Sequence, residues 1–269
     1  MPEGDTIWRT ARTLRGVLVG KVVTGLSSPL PAVITRLRRL AVVGQTVDAV
    51  EAHGKHLVIR FSSGTTLHTH QMMSGSWHVY RLGSPWQKPA RFARIVLEAG
   101  EVVAVCFSAP LVELLPPDVS PRGVKRLGPD LLAPNFEGGS ACERLRARPQ
   151  LEIGDALLDQ TVLAGIGNVY KSEVLFLCRV NPFDRIGSLG EGTLARLVNT
   201  AVRHMRRNLG SDMRRTRSEL ARDRLWVYRR SGMPCFRCGE VILRRLQGER
   251  ARSTYWCPGC QRAPEEPGG

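Results

Sequence analysis

Apolar side chains at Ile7, Ala11, Leu14 and Val17 recur close to helical spacing, so residues 6–17 are expected to form a short amphipathic helix. Beyond it the rhythm changes. Segments 21–26, 46–50, 57–61, 65–70 and 77–80 are short and rich in β-branched residues, and 95–97 and 102–105 flank Glu98-Ala99-Gly100-Glu101, a hairpin signal. The first half therefore reads as a β-sandwich or barrel with one helix attached. Nine prolines and glycines between 115 and 139 break both periodicities and mark connecting chain. The pattern then turns helical, with candidates at 151–160, 168–180 and 192–208 separated by glycine or proline. The expected class is α+β, divided into a domain at 1–128, a linker at 129–146, a domain at 147–230 and a small module at 231–264. Residues 264–269 read as a frayed tail, and no internal repeat is present.

Charge adds the chemistry of a partner. Thirty-nine Lys and Arg against 24 Asp and Glu leave a formal +15 on 269 residues, and 42% of the chain is apolar, enough for a folded core. Only Lys21, Lys55, Lys88, Lys125 and Lys171 are lysines; the other cations are arginines, whose planar fork suits phosphate. A codon bias toward Arg explains that choice, but not the excess of positive over negative charge. Between 203 and 230 lie ten Arg and three acids, a run that reads either as a solvated face or as a phosphate-contacting one. No apolar run reaches the roughly 18 residues that span a bilayer, and Met1-Pro2-Glu3-Gly4-Asp5 lacks the layout of a secretion signal. A cytosolic, membrane-free protein that meets nucleic acid is the expectation.

Cys106, Cys142 and Cys178 stand alone and read as buried thiols, whereas the remaining four form a pattern. Cys235-Phe236-Arg237-Cys238 and Cys257-Pro258-Gly259-Cys260 enclose 18 residues, a spacing within the zinc-site window. Each pair places two thiolates on one side of an ion, and two pairs complete an all-sulfur tetrahedron with no open position, so a single structural Zn2+ is expected. The segment between them is a modestly basic hairpin carrying Arg244, Arg245, Arg250 and Arg252.

The amino terminus offers a reagent. A small residue after the initiator favours removal of Met1, which exposes a secondary amine on Pro2. α-Amino groups titrate near about 7.7–8.0, so part of the population is neutral and able to attack a sugar C1′, giving an iminium that serves as an electron sink. Glu3 is adjacent and able to move the proton that ring opening requires. Many chains begin Met-Pro by chance.

Several separated motifs then agree. Pro2-Glu3-Gly4-Asp5, His53-Gly54-Lys55-His56-Leu57, His70-Gln71-Met72-Met73-Ser74-Gly75, the stretch from Leu158-Asp159-Gln160 to Gly165-Ile166-Gly167-Asn168-Val169-Tyr170, and the four cysteines lie in one order. Together they resemble the bifunctional DNA glycosylases of the formamidopyrimidine-DNA glycosylase and endonuclease VIII family over almost the whole chain. The resemblance implies an N-terminal β-sandwich with flanking helix, then a helix-two-turn-helix domain with a C-terminal four-cysteine zinc finger, with damaged DNA bound between them by a monomer. It implies Pro2 as nucleophile, Glu3 as acid-base partner and Lys55 as a strand lysine that contacts phosphate and assists catalysis. Asn168 and Arg252 would grip phosphates around the lesion. Met73 would enter the gap left by the flipped base, with Gln71 and Met72 beside it and His70 on the DNA backbone or packing the loop. Two adjacent methionines serve equally as core filler. His68 and His70, at i and i+2, face one way, but no carboxylate or third histidine stands beside them in the sequence to complete a metal set.

Two departures narrow the branch. The oxidised-purine branch carries an Arg-Phe pair where this chain has Cys106-Phe107-Ser108-Ala109-Pro110-Leu111, and a longer glycine-rich lid where residues 210–230 are short and Arg-rich. Both point toward endonuclease VIII-like removal of oxidised pyrimidines and nicking of abasic sites by β,δ-elimination. Two other readings remain: a non-catalytic zinc-ribbon DNA-binding protein, and a hydrolytic nuclease, for which no carboxylate cluster is evident.

Overall fold

Helix α1 (Gly4–Leu18) forms where Ile7, Ala11, Leu14 and Leu18 recur on one buried face. The computed structural model describes residues 2–262 apart from 212 and 219; Met1 and the tail at 264–269 lie outside the described residues. Chain contacts divide the protein into two units, Met1–Lys125 and Arg126–Gly269.

In the first unit β1 (Gly25–Ser27) and helix α2 (Pro31–Leu37) precede β2 (Val47–His53), β3 (His56–Phe61), β4 (Thr66–His70), β5 (Ser76–Arg81), β6 (Ala93–Ala99), β7 (Val102–Phe107) and β8 (Leu111–Leu115). They build two four-stranded antiparallel sheets, ordered β2-β3-β4-β8 and β1-β6-β7-β5. Leu57, Ile59, Phe61, Leu67 and Leu114 of the first sheet, Ile95, Leu97, Ala104 and Cys106 of the second, and the buried face of α1 share one core. The expected sandwich with its flanking helix is present. Arg15 anchors the end of α1 by donating to the Val50 carbonyl at 3.0 and 2.6 Å. Of the expected strand 21–26, only its end pairs with β6. Helix α2 and β8 carried too few periodic positions to be read; β8 becomes a strand because β4 offers it a register from Thr66↔Leu115 to His70↔Leu111.

The second unit holds α3 (Gly138–Arg146), the one-turn α4 (Ile153–Ala156), α5 (Asn168–Leu177), α6 (Glu191–Arg207) and the hairpin β9 (Leu243–Gln247) with β10 (Arg252–Trp256). The stretch 129–146, expected as linker, contains α3, whose Ala141 and Leu145 are fully buried, so part of it is core rather than connection. The expected helix 151–160 shortens to α4 because the chain turns twice before α5. Gln160 braces those turns: its amide donates to the Leu158 and Ile166 carbonyls at 2.9 and 3.0 Å and accepts from Gly165 N at 3.1 Å.

Helix α5 buries two charged side chains. The Glu173 carboxylate accepts hydrogen bonds from the backbone N–H groups of Trp226, Val227 and Tyr228 at 2.8, 2.8 and 2.9 Å and from the Thr216 hydroxyl. Burial pushes its pKa up, and those four donors oppose the shift. Its neighbour two residues back, Lys171, donates to Thr254 Oγ1 at 2.6 Å, and that hydroxyl donates to Gln247 Oε1 at 2.7 Å. Both charges therefore draw later segments of the chain onto one helix. Glu173→Gln turns one acceptor into a donor facing N–H groups, and it is expected to cost about 1–3 kcal/mol. Urea unfolding followed by tryptophan fluorescence measures this, and an unchanged midpoint would contradict it.

Candidate active site and nucleic-acid interface

Glu3 occupies the N-cap of α1, where its carbonyl accepts from Thr6 N at 2.9 Å and Ile7 N at 3.1 Å. Its side chain is fully buried, while Pro2 is half-buried. A carboxylate thus stands one residue from the residue expected to act as nucleophile. Asp5, also buried, accepts from Thr6 N at 2.8 Å and lies 3.6 Å from Arg9 Nη1.

Lys55 sits in the two-residue turn Gly54-Lys55 that joins β2 to β3, not on a strand as expected. Gly54 has φ +55, a conformation that favours glycine. The turn holds Lys55 at the head of β3, close enough for its charge to lower the pKa of His56 and His70.

The 71–75 segment is a tight turn between β4 and β5. Gln71 is buried, and Gly75 lies so close to it that an added Cβ would meet Gln71 Cα at 2.6 Å. Met72 and Met73 are 48% and 66% exposed, which removes the core-filler reading. Met72 adopts φ +46 and its N–H donates to His70 Nδ1 at 3.1 Å, so His70 packs the loop. Ser74 Oγ donates to the Ser108 carbonyl at 3.0 Å.

Beneath this loop lies a row that the sequence did not reveal. His68, expected to lack a carboxylate or third histidine, has both. Its Nδ1 lies 2.9 Å from Glu113 Oε2 and its Nε2 lies 2.9 Å from His56 Nδ1. Cross-strand register supplies them, since His68 pairs with Glu113 and His56 with His70. The only sequence signal was the i, i+2 spacing of His68 and His70. Among the described residues, the cysteine cluster is the sole group of three or more such side chains with the geometry to hold a metal ion.

In the second unit Gly167 is the N-cap of α5 and Asn168 is its first residue. The Asn168 amide donates to the Ser253 carbonyl at 2.6 Å, which brings Asn168 next to the exposed Arg252 on β10. The arginine run is only partly solvated. Arg217 and Arg230 each lie over the Phe236 ring, 3.7 and 3.3 Å from its centroid, and Arg230 donates to the Trp226 and Pro234 carbonyls at 2.6 and 2.8 Å.

The sulfurs of Cys235, Cys238, Cys257 and Cys260 all lie within 4.8 Å of one another, with Cys235–Cys260 at 3.9 Å and Cys238–Cys257 at 3.3 Å. A tetrahedron with bonds of about 2.3 Å has edges of about 3.8 Å, so this donor set fits one metal ion.

Two family models account for most of the chain. Residues 1–110 match the formamidopyrimidine-DNA glycosylase N-terminal domain and residues 127–219 match the formamidopyrimidine-DNA glycosylase H2TH domain. The chain belongs to the formamidopyrimidine-DNA glycosylase family. It is 42% identical to a probable endonuclease 8 2 of Streptomyces coelicolor, over 100% of this chain and 97% of that protein. It is 40% identical to the DNA-(apurinic or apyrimidinic site) lyase Nei2 of Mycolicibacterium smegmatis, over 98% and 100% of the two chains. Endonuclease 8 of Escherichia coli is 32% identical over 97% of this chain and all of its own. The Lactococcus lactis formamidopyrimidine-DNA glycosylase, crystallised with DNA containing an abasic site, matches with a TM-score of 0.81 at 24% identity, covering 97% of this chain and 100% of that one. That likeness establishes the fold: sandwich, helix-two-turn-helix and four-cysteine hairpin.

The histidine row is expected to make this family member less stable in acid. Burial, then the charges of His70, His68, His53 and Lys55, pushes His56 down from 6.5 to about 3; burial, then Lys55 and His68, pushes His70 down to about 4. The unfolded chain binds protons below about pH 6.5 that the folded chain refuses, so stability present above that pH is lost as pH falls toward 3 to 4. His56 alone should contribute a slope approaching about 1.4 kcal/mol per pH unit in this window. His56→Gln is expected to flatten the dependence of urea stability on pH between about 6.5 and 5; parallel profiles for variant and wild type would refute it.

Proposed function

We propose that this family member is a bifunctional DNA glycosylase and abasic-site lyase that removes oxidised bases, pyrimidines in preference, and nicks the strand by β,δ-elimination. The observation that carries the reading is the fully buried Glu3 carboxylate directly beside Pro2 at the start of α1. With its amine exposed, Pro2 N attacks C1′ of the damaged nucleotide as Glu3 moves the proton that opens the sugar. The C1′–N bond to the base breaks, and its electron pair leaves with the base, which is protonated. The iminium that remains acidifies C2′–H, and loss of that proton expels the 3′ phosphate; a second elimination expels the 5′ phosphate. Lys55, half-buried at the head of β3, supplies a cation for phosphate. Met73, with Met72 and Gln71, fills the gap beside the everted base, in keeping with the exposure of both methionines on a braced turn.

Asn168 and Arg252 act together on the DNA backbone because the Asn168–Ser253 hydrogen bond joins their elements. Cys235, Cys238, Cys257 and Cys260 would hold one Zn2+, which supplies a structural crosslink that keeps the Arg252 hairpin folded. Pyrimidine preference is supported by the β7–β8 connection, which is only Ser108-Ala109-Pro110, with Ala109 buried: too short a loop to carry a side chain into the gap. The non-catalytic ribbon reading draws no support from a chain that matches endonuclease 8 relatives from end to end.

Borohydride is expected to trap wild-type protein on an abasic duplex, and Pro2→Gly, whose primary amine gives an imine in place of a permanently charged iminium, to give less adduct while DNA binding persists. Glu3→Gln should slow excision from a dihydrouracil or thymine glycol duplex by about 10²–10⁴-fold. Full adduct from Pro2→Gly, or faster excision of 8-oxoguanine opposite cytosine than of either pyrimidine lesion, would overturn the corresponding part of the proposal. Elemental analysis should find about one zinc per chain. Stripping it should weaken binding to undamaged duplex, whereas metal-free protein that binds equally well would contradict the structural role.

A further inference from the structure

We propose that Glu113 is a positioning residue: by accepting a hydrogen bond from His68, which in turn accepts one from His56, it sets the tautomers of those two rings, and through their packing on His70 it helps hold the Met72–Met73 turn in shape. The proposal rests on the reading of that turn as the element that fills the gap beside an everted base.

The row exists because strands alternate. On β3, Leu57, Ile59 and Phe61 point into the sandwich core, so His56 points the other way. On β4 the same alternation turns Leu67 inward and His68 and His70 outward, and on β8 it turns Glu113 outward between Val112 and Leu114. The outward face is nevertheless covered. His68 is fully buried and His56 nearly so, with Gly123 against the His56 ring and Arg122 N donating to Glu113 Oε2 at 3.4 Å.

In that setting each ring has one available assignment. A carboxylate only accepts, so the proton of His68 lies on Nδ1, directed at Glu113 2.9 Å away. Its Nε2 then holds a lone pair and accepts from His56 Nδ1–H, also at 2.9 Å. The third ring is constrained from the opposite end: His70 Nδ1 accepts the Met72 N–H, which places its proton on Nε2. Ring packing connects the two ends, because His56 stacks on His68 with centroids 5.1 Å apart and meets His70 edge-on at 4.7 Å. All three rings are driven toward the neutral form by burial, so each carries one proton and the polarity of the row is single-valued. The far end of this chain holds Met72 in its left-handed conformation, at φ +46.

Glu113 touches neither the reacting sugar nor the nucleophile in this scheme; it acts on the turn. Eviction of a stacked base needs the turn in place, whereas an abasic nucleotide has no base to evict. Two measurements on the full-length, zinc-loaded protein test this. In a long-range 15N–1H spectrum of histidine-labelled wild type, His56 and His68 should be Nδ1–H tautomers and His70 the Nε2–H tautomer, and Glu113→Leu should shift His68 and His56 toward Nε2–H. In single-turnover assays Glu113→Leu should slow excision of dihydrouracil from duplex DNA about 10-fold, leave nicking of a preformed abasic site within about 2-fold, and be rescued by Glu113→Gln, whose amide oxygen still accepts. Absence of a borohydride adduct would remove the lyase reading and leave the tautomers standing. A normal adduct with any other tautomer pattern in wild type would overturn the relay itself, and so would Glu113→Gln slowing excision and abasic nicking equally.

Discussion

Antiparallel alternation in the β2-β3-β4-β8 sheet is the constraint on which the amino-terminal unit depends. Leu57, Ile59, Phe61, Leu67, Val112 and Leu114 take the face that closes the sandwich. The same backbone then has no choice but to present His56, His68, His70 and Glu113 on the other face. A one-residue slip of β4 would send the histidines into an apolar core and Leu67 out of it, so register and chemistry are held by the same hydrophobic force. The turns that carry Lys55 and Met72–Met73 stand at the ends of these strands.

In the second unit, buried charge organises the chain. Lys171 and Glu173 sit two residues apart on α5, and a buried charge is stable only when its partners are complete. Lys171 finds them on β10 and, through Thr254, on Gln247; Glu173 finds them in the 213–230 segment. The helix that begins at Asn168 therefore holds both the cysteine hairpin and the arginine-rich stretch leading to it. Gln247 extends the network by donating to Glu152 Oε2 at 2.7 Å and to the Pro182 carbonyl at 2.9 Å. The clustered cysteine knuckles and this polar network both lie on one hairpin, and the hairpin carries Arg252.

Legibility followed the physics of each segment. Helices α1, α5 and α6 were readable because each presents a repeating apolar stripe, and the sandwich because its strands alternate or run apolar. The Cys235–Cys260 pattern was readable because metal spacing is a local property of two turns. Helix α3 was missed because Gly138-Gly139 at its start look like linker; the helix buries Ala141 and Leu145 and packs against α6, a tertiary effect. Strand β8 was missed for a related reason, since five residues beside a proline acquire strand character only from a partner. Lys55 was expected on a strand and stands in the turn before it, a shift of one residue that local propensity does not resolve.

From the sequence alone came the family resemblance, the order of its motifs, the four-cysteine cluster and the residues Pro2, Glu3 and Lys55, all of which are short-range patterns. Only the tertiary structure decided that Glu3 is buried, that Met72 and Met73 are exposed, that Asn168 meets the Arg252 hairpin and that His68 lies between a carboxylate and a second imidazole. Those facts join residues 12 to 85 positions apart. Burial and cross-strand pairing depend on where the rest of the chain goes, and no local spacing contains that information.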